Sequence, residues 1–318
     1  MPKVSVIIPT HNRAEFLRSA ITSVLKQTYQ DFEITVVDEA SKDNTKEVVS
    51  SFGEKRIKYI HHQTSKGDGA ARNSGIANSN GDYIAFLDDD DQWLSEKLQL
   101  QVGILENSPA HVGAVYAGYF DIDAINAKIF NVWLPDRRGD LSRDIFKENC
   151  VCTSSILLRR QCFEKVGLFD ESIPYCSDYD MWIRISKKFK FECIRKPLVK
   201  RLVHEHNLGS NFKSSIKGKE IVLEKYSQYF GLNSKSYGLR YLALGELYCY
   251  DGNTTKGREA FVKSIKIYPY EVRCYYYYCL SLLGNTTFRK LKESIWKLLM
   301  PLRQRKLRSR LRRMAEQT

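Results

Sequence analysis

At 318 residues, 43% of them hydrophobic and 27% charged, the chain is an ordinary soluble protein able to bury a large core, naturally one large domain plus an appendage. Its eight cysteines are scattered, with no CxxC pair and no histidine at zinc spacing, which argues against a disulfide framework and for reduced thiols in a cytosolic compartment. The net charge of +13 is uneven: residues 288–318 hold eleven basic and two acidic side chains, so the body is nearly balanced. Met1-Pro2-Lys3 runs, without a signal-peptide pattern, into a buried strand over 3–8 that Pro9 stops. Asn12-Arg13 leads into a helix to about residue 28, with Phe16, Ala20, Val24 and Leu25 as its apolar stripe. Strands follow at 32–37, 57–61 and 83–87, with helices at 44–52 and 70–79 between them. This alternation predicts an α/β fold with a mostly parallel sheet and right-handed crossovers. Beyond Pro109 the spacing predicts strands at 112–122, 127–134, 154–158, 191–195 and 198–203, and helices at 161–166 and 178–188. From about 214 onward the chain reads as helical.

The run Asp88-Asp89-Asp90-Asp91 follows the fourth strand directly, so four carboxylates stand where open parallel sheets bind ligands. Carboxylates that close repel one another, and a divalent cation escorting a phosphorylated ligand would relieve them. In extended backbone, residues i and i+2 share a face, so Asp88 and Asp90 are expected to converge while Asp89 points away. The alternative is a solvated acidic turn, with Asp91 capping a helix that begins near Trp93. Pro9-Thr10 ends strand one, Asp38 ends strand two, and Arg72 lies on the first turn of the helix opened by Gly67-Asp68-Gly69. All converge on one sheet edge, where a nucleotide can lie: the acid meets a base or ribose, the guanidinium a diphosphate or base edge. No GxGxxG follows strand one and no GxxxxGK[ST] loop is present, which excludes dinucleotide and P-loop chemistry.

In this order and spacing the chain resembles the family 2 glycosyltransferases. The matching pieces are Val4 to Arg13, Val36-Val37-Asp38, Ala70 to Ile76, Phe86 to Trp93, Gly167 to Glu171 and Ser177 to Arg184, over residues 3–211. The resemblance implies a GT-A fold and inverting, metal-dependent transfer of a hexose from a nucleotide-diphosphate sugar, UDP-linked, to a glycan or lipid-linked acceptor hydroxyl. It implies nucleotide binding by Pro9, Thr10, Asp38, Arg72, Asp88 and Asp89, with Asp38 at the base. Mn²⁺ or Mg²⁺ would be held by Asp90 and Asp88, with His204 nearby, and Asp178 would be the catalytic base, at a helix N-terminus that favours its ionised form. From the residues alone, Asp178 reads first as a helix cap, and only the resemblance puts the catalytic base ahead. The chain departs from the family pattern at Ala40, where a residue tolerant of positive φ is usual, and this reads as a small loop change. Ser177 stands where glutamate is usual, and no QxxRW follows, which removes the signature of processive synthases. A catalytically idle nucleotide-sugar binder or scaffold is the alternative to an enzyme.

The expected domains are 1–212 (catalytic), 213–287 (helical) and 288–318 (basic tail). Tyr241, Leu244, Gly245, Tyr248, Gly257, Phe261, Ser264 and Pro269 follow tetratricopeptide spacing, and an ordinary helical hairpin fits equally. In the tail, Phe288, Leu291, Ile295, Leu298, Leu299 and Leu302 recur at helical spacing among lysines and arginines. This is the pattern of an interfacial helix on an anionic membrane; a solvated tail is the plain alternative. No nucleic-acid motif accompanies the charge. No apolar run reaches the ~18 residues of a membrane span. The expected location is cytoplasmic, peripheral at the inner face of the cell membrane.

Overall fold

The computed structural model describes residues 2–204, 211–231, 233–292, 294 and 295. Most of the predicted tail, including Leu298, Leu299 and Leu302, lies outside the described residues. The chain forms two compact units: Met1–Ile145, Asn149–Ser172 and Ser177–His204 make one, and Phe146–Glu148, Ile173–Cys176 and Glu205–Thr318 the other.

In the first unit, β1 (Val4–Thr10), β2 (Phe32–Asp38), β3 (Ile57–His61) and β4 (Tyr83–Phe86) pair in parallel in the order β3-β2-β1-β4. Helices α1 (Ala14–Leu25), α2 (Thr45–Ser51) and α3 (Asp68–Ala77) connect them. Every residue of β1 is buried, as expected of a central parallel strand covered on both faces. Because β4 lies beside β1 on the side away from β2, the strand order reverses between β1 and β4, and their C-terminal ends flank the switch point where such sheets bind ligands. Gly75 lets α3 lie directly on β1: a Cβ there would stand 2.3 Å from Ile7 Cγ2.

The sheet continues with mixed polarity. β5 (Asp91–Trp93), α4 (Lys97–Glu106), β6 (Val112–Asp123) and β7 (Ile129–Trp133) come next, then α5 (Asp144–Lys147), β8 (Ile156–Arg159), α6 (Gln161–Val166), α7 (Ser177–Ser186) and β9 (Lys190–Val203). β8 is antiparallel to β4 and β6, β9 is parallel to β6, and β5 and β7 pair antiparallel at β9 and β6. Two expectations are corrected. The segment after the acidic run is the short strand β5, and the helix starts only at Lys97, so Asp91 caps nothing. The two strands expected at 191–203 are one, β9, which passes through Pro197 with register shifts against β6.

The second unit is helical: α8 (Phe212–Lys225), α9 (Ser227–Gly231), α10 (Ser234–Tyr250), α11 (Thr254–Ile267) and α12 (Val272–Leu282). Asn211, Asn233 and Asn253 cap α8, α10 and α11, each side-chain oxygen accepting from a backbone N–H three residues on, at 2.9–3.2 Å. The tetratricopeptide-spaced Leu244, Gly245, Tyr248, Gly257, Phe261 and Ser264 are all buried. Gly245 and Gly257 allow α10 and α11 to approach closely, since a Cβ on Gly245 would meet the Phe261 ring at 2.5 Å. Phe288, expected in the tail's stripe, is fully buried and packs with Phe261, Tyr250 and Tyr277 in this unit's core.

Candidate active site

The acidic run turns out of β4 and rejoins the sheet at Asp91, the first residue of β5. Strand β4 ends at Phe86, and Asp88–Asp91 form a turn closed by the Asp91 N–H donating to Asp88 O at 3.0 Å. The alternation that would send Asp89 away from Asp88 and Asp90 therefore does not apply. Asp89 is buried against the end of β1, accepting from Thr10 Oγ1 at 2.8 Å and from Arg13 Nη1 at 3.0 Å. The same Arg13 nitrogen reaches Asp90 Oδ2 at 3.0 Å, and that oxygen stands 3.1 Å from His204 Nε2. His204, at the end of β9, is stacked on Phe16 with ring centroids 4.6 Å apart. Asp88 turns the other way, towards Arg72 Nη2 at 3.1 Å. Burial raises the Asp89 carboxyl to about 7 even with Arg13 beside it, and pushes the buried Asp91 carboxyl well above the carboxylate range. Arg13, Arg72 and His204 thus each meet a carboxylate of the run.

Arg13 escaped the sequence reading because nothing in an Asn-Arg pair before a helix announces that it will reach forward to carboxylates 76 and 77 residues on.

Arg72 is buried and shared between Asp88 and Asp68, the latter 3.4 Å away. Burial opposes its charge, but Asp68, Asp88 and Asp178 together outweigh that and hold it firmly protonated. The loop ahead of α3 is fixed by Glu39, whose carboxylate accepts from Gly67 N at 2.6 Å and Ser65 Oγ at 3.1 Å and meets His62. Glu39 is a second residue the sequence reading passed over as part of a polar loop. Asp38 is buried: Oδ1 accepts from Ser41 N at 2.9 Å and Oδ2 from Tyr59 Oη at 2.5 Å. Ala40 keeps a left-handed backbone, φ 62°, so the loop retains its turn despite the alanine. Pro9 is paired in β1 opposite Val37 and brings Thr10 beside Asp38.

Asp178 is the second residue of α7, inside the helix rather than at its cap. Its Oδ2 accepts from Thr153 Oγ1 at 2.8 Å and its Oδ1 from Tyr179 N at 2.8 Å. Thr153 belongs to a buried 3₁₀ turn, Thr153–Ser155, whose next residue, Ser154, accepts the Asp88 N–H at 3.1 Å through its Oγ. This turn therefore links the acidic run to Asp178. It is held from below by Trp93 Nε1 donating to Ser154 O at 2.7 Å and Gln101 Nε2 donating to Ser155 O at 2.7 Å. Gln101 in turn accepts from Lys97 Nζ at 2.7 Å, and that buried ammonium lies 3.8 Å from the Trp93 ring centroid. Asp121, at the end of β6, pairs with Arg201 at 2.7 Å.

Among the described residues no three His, Cys, Asp or Glu side chains form a ready metal cage. The donors that meet, Asp90 Oδ2 and His204 Nε2, are 3.1 Å apart. That is the spacing of a hydrogen bond, and it is also the spacing of two neighbouring ligands on an octahedral ion at ~2.1 Å, about 3.0 Å, so the pair is compatible with a hard divalent cation.

The chain is similar to known glycosyltransferases in sequence and in fold. The sequence profile described as glycosyl transferase family 2 matches residues 5–167. An uncharacterized glycosyltransferase of Rickettsia typhi is 36% identical over 209 residues, 64% of this chain and 65% of that protein. The chain thus spans just under two thirds of that relative's length. The Escherichia coli protein WfgD, named as a UDP-Glc:alpha-D-GlcNAc-diphosphoundecaprenol beta-1,3-glucosyltransferase, is 29% identical over 220 residues, 69% of this chain and 82% of that one. Among solved structures, S. aureus TarS 1-349 in complex with UDP-GlcNAc is similar with a TM-score of 0.62 at 16% identity, covering 93% of this chain and 92% of that one. The mannosyltransferase PcManGT of Pyrobaculum calidifontis, in complex with GDP-Man and Mn2+, has a TM-score of 0.58 at 16% identity, covering 83% and 75%. The profile match spans just over half of the chain and the fold agrees with it: the chain belongs to glycosyl transferase family 2.

Proposed function

We propose that the protein transfers a hexose from a nucleotide-diphosphate sugar, UDP-linked, to the hydroxyl of a glycan or lipid-linked acceptor, with inversion and one sugar at a time. The observation that carries this reading is the Thr153–Ser155 turn, which ties Asp178 to the acidic run within the first unit. The nucleotide lies over the ends of β1 and β2, with Thr10 and Asp38 on its base and ribose side. Asp38 acts there with Tyr59 and Ser41, since both of its oxygens already accept from them. Arg72 binds the diphosphate, moving from a purely acidic pairing to a mixed one. Asp90 and His204 would hold Mn²⁺ or Mg²⁺, which would supply positive charge for the departing diphosphate, while Asp88 stays on the Arg72 side. Asp178 accepts the acceptor proton as the hydroxyl attacks, one oxygen oriented by Thr153. The acceptor in WfgD's name is lipid-linked, and that together with the basic residues of 288–318 supports work at the cytosolic membrane face.

The test is thermal stabilisation and donor hydrolysis with UDP- and GDP-sugars, with and without Mn²⁺. Asp178→Asn is expected to reduce transfer about 10²–10⁴-fold while leaving donor binding nearly unchanged. Asp90→Asn is expected to abolish the metal-dependent part of donor stabilisation. Donor binding without turnover by the unaltered protein would instead identify an idle nucleotide-sugar binder. Tight donor binding in chelator would refute the metal role.

A further inference from the structure

Helix α12, Val272–Leu282, carries one charged residue, Arg273, in eleven positions. A helix with so few charged positions belongs in an interior, yet among the described residues only one side of this one is covered. Cys274, Leu280 and Ser281 are buried, and Tyr277 packs on Phe261 and Phe288. On the other side Val272, Tyr275, Tyr276, Cys279 and Leu282 are exposed, and Leu283 continues the row, with Val272 75%, Leu282 61% and Leu283 60% accessible. At 100° per residue these six fall within an arc of about 120°, a continuous apolar stripe. Tyr270, 80% accessible, adds a tyrosine just ahead of it.

The charge of the sequence that flanks the stripe decides what covers it. Residues 254–292 contain eight basic and two acidic side chains, and residues 296–318 a further eight basic and one acidic. A second copy of this unit, or the chain's own C-terminal residues folded back, would bring positive charge against positive charge. An anionic lipid surface meets both features: its headgroups attract the lysines and arginines, and its interfacial zone takes up tyrosine and leucine side chains.

We propose that the Val272–Leu283 stripe is a membrane-contact face, on which the helical unit lies in the interface of an anionic bilayer. The inference deepens the membrane-face part of the proposed function and places the contact on α12. It is read without donor or metal, so its failure is distinct from failure of the transferase reading in the Asp178 and Asp90 assays.

The experiment is co-sedimentation of the full chain with phosphatidylcholine vesicles and with phosphatidylcholine–phosphatidylglycerol vesicles, at low salt and at 0.5 M NaCl. The wild type should prefer anionic vesicles by roughly tenfold or more and keep a salt-resistant fraction from its apolar contact. Tyr276→Ser/Leu283→Ser, at exposed positions, should weaken anionic-vesicle partitioning about tenfold and remove the salt-resistant fraction. Tyr275→Ser/Leu282→Ser serves as an independent pair, and an unchanged thermal transition shows that either variant is folded. Wild-type-like binding by both folded pairs overturns the proposal, as does complete loss of wild-type binding in 0.5 M salt. A concentration-dependent dimer that both pairs dissociate would assign the stripe to a second copy. A chain ending at residue 295 that binds vesicles more tightly than the full chain would assign it to residues 296–318. Either result refutes the lipid contact.

Discussion

At the scale of single residues, the site is built by short side chains that replace water as partners for buried charge. Ala40 shows how one backbone angle matters to it. With φ 62° it turns the chain so that Ser41 N–H points back to Asp38 Oδ1, and the neighbouring Asn12 N–H donates to Ser41 Oγ at 2.8 Å. A residue with a Cβ is strained there by roughly 1–2 kcal/mol, part of which glycine would give back through its freer unfolded chain. Ala40→Gly is therefore expected to stabilise the protein by about 0.5–1 kcal/mol, seen in urea as a higher midpoint at unchanged slope. Unchanged or lower stability would mean that the turn is not strained. The alanine was legible in the sequence as a departure; that the loop keeps its shape under strain, instead of changing, was not. Nor was Glu39 visible as the anchor of the 65–67 loop, because that contact joins two segments whose proximity only the sheet order creates.

At the scale of elements, periodicity carried β1 to β4 well because central parallel strands are short, apolar and bounded by turn residues. It failed where backbone conformation changes within a few residues. The acidic run is a turn, so the face rule for extended chains misplaced Asp89, and Pro197 inside β9 read as a break although the strand continues on both sides of it. Helix α4 carries a signal of another kind. Lys97 and Gln101, one turn apart, form a fully buried pair under the Thr153–Ser155 turn. Burial pushes the Lys97 ammonium well below the usual lysine range. Its folded-state proton affinity is thus lower than in the unfolded chain, where the value is near 10.4. The unfolded state binds more protons between those two values, so this group's contribution is full above the unfolded pKa and is lost as pH falls towards the folded one. Lys97→Met should be more stable than wild type at neutral pH, with the difference shrinking as pH approaches 10. Denaturant melts of both proteins across pH 6–10 check this; a difference that does not vary with pH would show that Lys97 is equally charged in both states.

At the scale of the whole molecule, the sequence placed a boundary at 287/288 because the charge composition changes there, but packing ignores that change. Phe288 is fully buried, with its ring 5.8 Å from Tyr277, 6.0 Å from Tyr250 and 6.4 Å from Phe261. Arginines and lysines flank it in sequence, yet one aromatic ring on a helix is enough to commit its turn to a core, which an average over a charged window conceals. Deleting a buried phenylalanine costs about 3–5 kcal/mol, a large fraction of what a small helical unit possesses. A chain ending at Thr287 should therefore lose or sharply lower the melting transition of the helical unit, whereas one ending at residue 295, which keeps Phe288, should melt like the full chain. The residues proposed to face the nucleotide all belong to the first unit, which has its own buried core around Val6, Ile8, Ile34, Val36 and Leu87. Donor-induced stabilisation of that unit is accordingly expected to persist in both shortened chains. Calorimetry of the three proteins with and without UDP-sugar separates the outcomes: equal melting at 287 and 295 would show that Phe288 is dispensable, and loss of donor response in the shorter chain would show that the first unit does not stand alone.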